Sequence, residues 1–327
     1  MTFLLIEAGF RVAEAVRARP QIETWAVYDP DLGYRLNPEF GDTNAEGLRD
    51  HPITPKAGRY RILMLGDSLG YYGDTVDDTW VGRLRQELSR SDEIVLPDVL
   101  NASIKGYSNY QELGFLKKYG LAFEPNLVGV GFVLNDLHRI LHSFKVVDGR
   151  IVGQSHAFTK DALDSVDSWG VRLARKSRSL VWLRRTRAGT FDYLSSRLSD
   201  GYSFEYRPDL NTAWKDQAWR SVEAQMREMQ ALGREHGFGL FMIIFPVADQ
   251  YRPDYLDADR DYVLKPQRLA ASLCRRLKIR CLDLYELLSP RDFEADGLHL
   301  TGDGRQRVAE HVAQFLNESG LIPAAPR

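Results

Sequence analysis

A chain of 327 residues with 44% hydrophobic and 27% charged residues has the make-up of a soluble globular protein, not of a disordered or fibrous one. Its length suits one large α/β domain carrying an insertion, or one domain plus a small accessory piece. A formal net charge of -2 excludes a molecule built as a whole to coat nucleic acid, so any basic recognition must be local. Cys274 and Cys281 exclude a disulfide framework and a Cys/His zinc cluster, and they read as two buried small hydrophobes.

The N-terminal apolar run, before Glu7, is far shorter than the roughly 20 residues that span a bilayer. It has no basic leader and no small-residue cleavage site. Two readings stay open: a short amphipathic helix packed on the domain, or the tail of an upstream anchor. The compartment stays open: a soluble domain, either cytoplasmic or anchored at a membrane. Residues 21–60 are rich in Pro, Gly, Asn and Asp (YDPDLGYRLNPEF, NAEGLRDHP), which are turn signals. Residues 1–58 therefore read as a segment that wraps the edge of a main domain spanning 59–327.

RILMLG, residues 61–66, is a compact apolar run ending in Gly, the pattern of a buried parallel strand. Helical spacing follows over Thr79–Arg90. A second strand is expected over 94–101, weakened by Pro97, then a helix over 109–121 and a third strand over 127–134. A long helix is expected at about 213–236, with Trp214, Ala218, Val222, Met226 and Met229 on one face. The fourth strand is 239–245, a helix covers 264–277, the fifth strand is 279–284, and a last helix runs over 301–318.

Five apolar strands alternating with helices predict an open, mostly parallel sheet covered on both faces. Right-handed crossovers put every strand's C-terminal end on one rim, where ligands bind in such folds. Reactive residues should therefore follow strands. Residues 138–212 break the alternation and read as a helical insertion, a possible lid. Its stretch Trp169–Arg187 holds seven basic residues and no acidic one. That is either a solvated helix or a patch for an anionic substrate or membrane surface. Its aromatics (among them Trp169, Trp182, Tyr202, Phe204) either stack on a sugar, cover an apolar chain, or form the insertion's own core.

Directly after the first strand stands Gly66-Asp67-Ser68-Leu69. A Ser there is pushed up at the rim, and the following helix supplies backbone N–H groups for a developing oxyanion; the bland alternative is a helix N-cap. Asp296-Gly297-Leu298-His299 follows the fifth strand. D-x-x-H arises by chance in roughly four of ten chains this long, so its position, just before the last helix, matters more than its letters. His is the side chain suited to accept a hydroxyl proton near neutral pH, and a carboxylate orients it. Asn135, in GFVLND at the end of the third strand, can donate to an oxyanion. Gly106, after the second strand, lets its backbone N–H come close to a substrate. Both are also ordinary turn residues. Asp249 and Gln250, after the fourth strand, are substrate-binding candidates on position alone. His138 and His142 either line the pocket or cap the insertion and stand outside the proposed site.

These four blocks, in this order, resemble those of the SGNH hydrolases, also called GDSL esterases/lipases. The resemblance extends over 59–136 and 213–320. The segments DPDLGYRLNP and NAEGLRD also look like the preface of some bacterial members, some of which carry an N-terminal membrane anchor. It implies a three-layer α/β/α sandwich with a five-stranded parallel sheet. It implies Ser68 as nucleophile, His299 as base and Asp296 as its orienting acid. The oxyanion hole would be the backbone N–H groups of Ser68 and Gly106 with the Asn135 side chain. No metal or cofactor is expected. The partner is a small-molecule or carbohydrate ester, O-acetyl being one option, with no nucleic acid; peripheral membrane contact would come from the N-terminal segment or the basic insertion. Two rivals remain: an acyltransferase that passes the acyl group from Ser68 to an alcohol or sugar, and an inactive binding protein of the same fold.

Overall fold

Nearly every residue of the central strands is buried, so neither face of their sheet can be left to water. The computed structural model describes residues 25–91, 94–137, 141–147, 150–157, 202–207 and 209–325. It opens with two short strands, β1 (Ala26–Asp29) and β2 (Gly33–Leu36). Then come β3 (Arg61–Gly66), the one-turn helix α1 (Ser68–Tyr71), α2 (Trp80–Leu88), β4 (Asp98–Ser103), α3 (Asn109–Lys118) and β5 (Leu127–Val133). Strands β6 (Leu141–Val147) and β7 (Arg150–Ala157) precede the long helix α4 (Asp216–His236) and β8 (Gly239–Phe245). The chain ends with α5 (Pro253–Val263), α6 (Lys265–Leu277), β9 (Arg280–Asp283) and α7 (Gly302–Ser319).

The main sheet has the order β4-β3-β5-β8-β9, with every pair parallel. That is the 2-1-3-4-5 order of a doubly wound sheet, whose direction of winding reverses between its first and third strands. Alternate residues of each strand feed opposite cores. Ile62, Met64, Phe241 and Ile243 pack with Trp80, Leu84, Val308 and Val312 of α2 and α7. Leu63, Leu65, Met242 and Ile244 pack with Leu113, Leu116, Trp219, Met226 and Leu273 of α3, α4 and α6. The result is the expected three-layer α/β/α sandwich with a five-stranded parallel sheet. Thr79 and Thr301 cap α2 and α7, each accepting from the backbone N–H three residues on.

Four expectations need correction. The insertion does not begin as helix: β6 and β7 form an antiparallel hairpin, and β7 pairs with β1 to make a second sheet, β2-β1-β7-β6. Val147 pairs with Arg150 at the closed end of this hairpin. Residues 158–201, including the basic run and Trp169 and Trp182, lie outside the described residues, as do 1–24. The insertion's later aromatics behave as core: Phe204 is fully buried and stacks on Trp214 at 3.9 Å.

The long helix starts at Asp216, and its buried stripe is Trp219, Val222, Met226 and Met229. Trp214 belongs to a preceding 3-10 turn and Ala218 falls beside the stripe. Helix α5 was missed because its sequence is mostly polar; only Tyr255 and Val263 are buried. Finally, Cys274 and Cys281 are joined in a disulfide, with Cα atoms 6.3 Å apart, a normal span for such a bond. The tight turn through Lys278, in the left-handed region, lays β9 back along the end of α6 and brings the two cysteines together.

Candidate active site

Ser68 is the first residue of α1, at the C-terminal end of β3. The cap of that helix is Asp67, whose Oδ1 accepts from Leu69 N at 2.9 Å. The capping duty therefore falls on the neighbour, and the Ser68 hydroxyl is left for other partners. Its Oγ lies 3.0 Å from His299 Nε2 and 3.3 Å from Asp67 Oδ2. Helix α1 can lie so close to β4 only because Gly70 has no side chain: a Cβ there would sit 2.1 Å from Ser103 Oγ.

His299 reaches Ser68 from a loop held at several points. Glu294 N donates to His299 O at 2.7 Å, and Ala248 N donates to Gly297 O at 2.9 Å. Asp296 Oδ1 accepts from Leu298 N and His299 N at 2.9 and 3.0 Å, which aims Oδ2 at His299 Nδ1, 2.5 Å away. Burial alone would lift the Asp296 pKa, but His299 and the two backbone donors hold it well below the usual carboxylate range. Burial disfavours charge on His299, and the hydrogen bond and charge of Asp296 outweigh it, leaving the imidazole pKa raised above 6.5. With Nδ1 donating to Asp296, Nε2 is the atom that can accept from Ser68.

The two remaining predicted residues follow β4 and β5. Gly106 has φ +80, in the region Gly enters without strain, and a Cβ there would lie 2.8 Å from the Tyr34 hydroxyl. Asn135 sits in the turn after β5, half-buried, with Nδ2 donating to Asp67 Oδ2 at 3.4 Å. Asp67, buried to 1% exposure, thus touches both the Ser68 hydroxyl and the Asn135 amide. Burial pushes its pKa up.

Gln250 is not available at this rim as expected. Gln250 is fully buried: it donates to Val263 O and Gln267, and accepts from Val247 N and Gln267. A side chain with both ends satisfied in the core has no edge for a substrate, which corrects that expectation. Asp249 Oδ2 accepts from the Ser203 hydroxyl at 2.7 Å, so its carboxylate braces the end of the insertion. His138 lies outside the described residues, and His142 lies on β6 in the second sheet.

Residues not singled out from sequence also shape the site. Arg49, in NAEGLRD, donates to Tyr71 O and to Gly73 O, the latter at 2.9 Å, and so clamps the turn after Ser68. Asp50 beside it accepts from Asn101 N at 2.7 Å, tying the same segment to β4. Tyr34 donates to Lys105 O at 2.8 Å beneath Gly106. The ring of Tyr72 meets the His299 imidazole edge-on at 4.9 Å and is 42% exposed. Arg207 donates to Asp296 O at 3.3 Å. The NAEGLRD block was a visible signal, while Tyr72 and Arg207 carried none. Among the described residues no group of three or more His, Cys, Asp or Glu side chains is arranged to hold a metal ion, and no helix is long and apolar enough to cross a membrane.

No family model matches the sequence, and no curated protein matches it. Among solved structures, the chain is similar to a lipase/acylhydrolase from Enterococcus faecalis, at 15% identity over 82% of this chain and 98% of that one, with a TM-score of 0.45. It is similar to a GDSL-like lipase from Bacteroides thetaiotaomicron, at 13% identity over 82% and 92%, with a TM-score of 0.41. It is also similar to a catalytic mutant of Axe2, an acetylxylan esterase from Geobacillus stearothermophilus, at 12% identity over 79% and 93%, with a TM-score of 0.45.

Proposed function

We propose that the chain is a serine ester hydrolase of the SGNH kind, acting on a carboxylic ester of a small molecule or carbohydrate. The observation that carries the reading is the continuous relay of Ser68 Oγ to His299 Nε2 at 3.0 Å and His299 Nδ1 to Asp296 at 2.5 Å. It lies at the strand ends, where the winding of the sheet reverses. In the first step His299 Nε2 takes the hydroxyl proton while Ser68 Oγ attacks the ester carbonyl carbon. The backbone N–H groups of Ser68 and Gly106 and the Asn135 amide receive the negative oxygen. The carbon–alkoxide bond then breaks, and the imidazolium returns its proton to the leaving alcohol. Water, deprotonated by the same imidazole, attacks the acyl-serine and releases the acid. The exposed Tyr72 ring beside His299 offers an apolar face to the alcohol part, and a sugar ring suits such a face.

The test is a panel of p-nitrophenyl esters and acetylated sugars run on the unaltered chain and on Ser68→Ala, with fluorophosphonate labelling of Ser68. Ser68→Ala should lower kcat by about 10⁴-fold or more. Near-full activity in that variant, or no labelling of folded protein, ends the proposal.

A further inference from the structure

Behind the rim lies a buried set of acids that the reaction does not use. Glu112 on α3 and Asp136 at the end of the β5 turn are exposed by only 1% and 3%, and Asp67 adjoins them at 1%. Among the described residues no Lys, Arg or His forms an ion pair with Glu112 or Asp136. Their surroundings are rich in acceptors: Glu112 Oε1, Asp136 Oδ1, Asn109 Oδ1 and Asn135 Oδ1 are all buried without a hydrogen-bond partner. Two donors there are engaged on the carboxylates' other oxygens: Asn109 Nδ2 donates to Glu112 Oε2 at 3.0 Å and Val133 N to Asp136 Oδ2 at 2.7 Å. Two ionised carboxylates in such a place would each face the full penalty of an unpaired buried charge. A proton on one of them removes a charge and turns an orphaned acceptor into a donor.

The cluster also joins the parts of the site. Asn109 N donates to Asp136 O at 3.4 Å, linking the start of α3 to the turn that presents Asn135. We propose that the Glu112–Asp136 pair keeps a proton at neutral pH and is a positioning pair, whose added hydrogen bond locks α3 to the turn that holds Asn135. This rests on the ester-hydrolase reading, in which Asn135 donates to the oxyanion. The titratable groups facing the pair are Asp67, and beyond it His299 and Tyr34, which feel the Asp67 charge. Burial, then the Asp67 charge, pushes Glu112 up to about 8. Burial, Asp67 and Glu112 push Asp136 well above its ordinary value.

The experiment uses the full chain. Infrared difference spectra between acidic and alkaline buffer should contain a protonated-carboxyl band that titrates near pH 8 and is missing in Glu112→Gln. Steady-state kinetics on a p-nitrophenyl ester should give an alkaline fall in kcat over the same range. Glu112→Ala should lower kcat by up to about 10²-fold, the loss of one oxyanion donor, with KM little changed. Glu112→Gln, a neutral isostere, should restore most of that loss and abolish the alkaline fall. Absence of the band in the unaltered protein overturns the proposal, as does a Glu112→Gln variant as impaired as Glu112→Ala. The band needs no activity. A failed fluorophosphonate label with the band present would sink the hydrolase reading alone, and a labelled Ser68 without the band would sink only the proton pair.

Discussion

Replacing Asp296 by Asn tests the relay at its most exposed member. The carboxamide can keep its oxygen on the N–H groups of Leu298 and His299, which now bond Oδ1 at 2.9 and 3.0 Å. Its NH₂ must then take the place of Oδ2 and donate to His299 Nδ1. The imidazole is forced to carry its proton on Nε2, facing Ser68, where it cannot accept. Such a tautomer reversal costs about 10⁴-fold in kcat where the acid is buried. The Asp296 side chain is 49% exposed, so water can partly replace it, and a loss of about 10³-fold, or about 4 kcal/mol of barrier, is expected. The fold should survive, because an ion pair this exposed contributes at most about 1 kcal/mol.

The pH profile gives the sign. Only neutral imidazole is active, and its pKa lies above 6.5 in the native site. Activity of the unaltered chain should therefore fall as the pH drops through that raised value. In Asp296→Asn the anion that retains the imidazolium proton is gone, so the acid limb should move to lower pH. The assay is kcat and kcat/KM for a p-nitrophenyl ester across the pH range, with urea unfolding alongside. A folded Asp296→Asn protein that loses less than about tenfold in kcat refutes the orienting role.

Two further outcomes follow from the packing. Gly70→Ala places a Cβ 2.1 Å from Ser103 Oγ and 2.7 Å from Ser103 Cβ. It should cost about 1–3 kcal/mol in urea unfolding and lower kcat, because Ser68 rides on the same turn; unchanged stability would mean that α1 does not rest on β4. Arg49→Met strands the Tyr71 and Gly73 carbonyls and the Asp42 carboxylate that the guanidinium now binds. A loss of about 2–3 kcal/mol is expected from unmaking this buried network, with kcat falling more than KM rises; native-like kinetics would remove Arg49 from the support of the nucleophile turn.

Much of the sheet was legible because its strands are buried on both faces. RILMLG and GLFMIIF read as unbroken apolar runs, and the observed strands match them residue for residue. The caps at Thr79 and Thr301 are local features, since each bonds within three residues of itself. Strand β4 was read early, at 94–101, because apolar content outweighed Pro97; pairing begins at Asp98, beyond the proline. Helix α5 was hidden because a surface helix needs few buried residues. The β6–β7 hairpin was hidden because its flanking runs alternate only loosely around Asp148-Gly149, and its partner β1 lies more than a hundred residues upstream.

The sequence by itself determined the covalent order of the parts: a serine after the first buried strand, an asparagine after the third, and an Asp-His pair after the fifth. It also determined that these positions share one rim, because parallel strands with right-handed crossovers end on the same side. Only the tertiary structure decided which polar groups at that rim are free to react. Asp67 took the cap and freed Ser68, Gln250 was spent on core hydrogen bonds, and Glu112 and Asp136 were buried with no cationic partner among the described residues. Those outcomes depend on contacts between loops separated by tens to hundreds of residues, and no local pattern encodes which donor meets which acceptor once water is excluded.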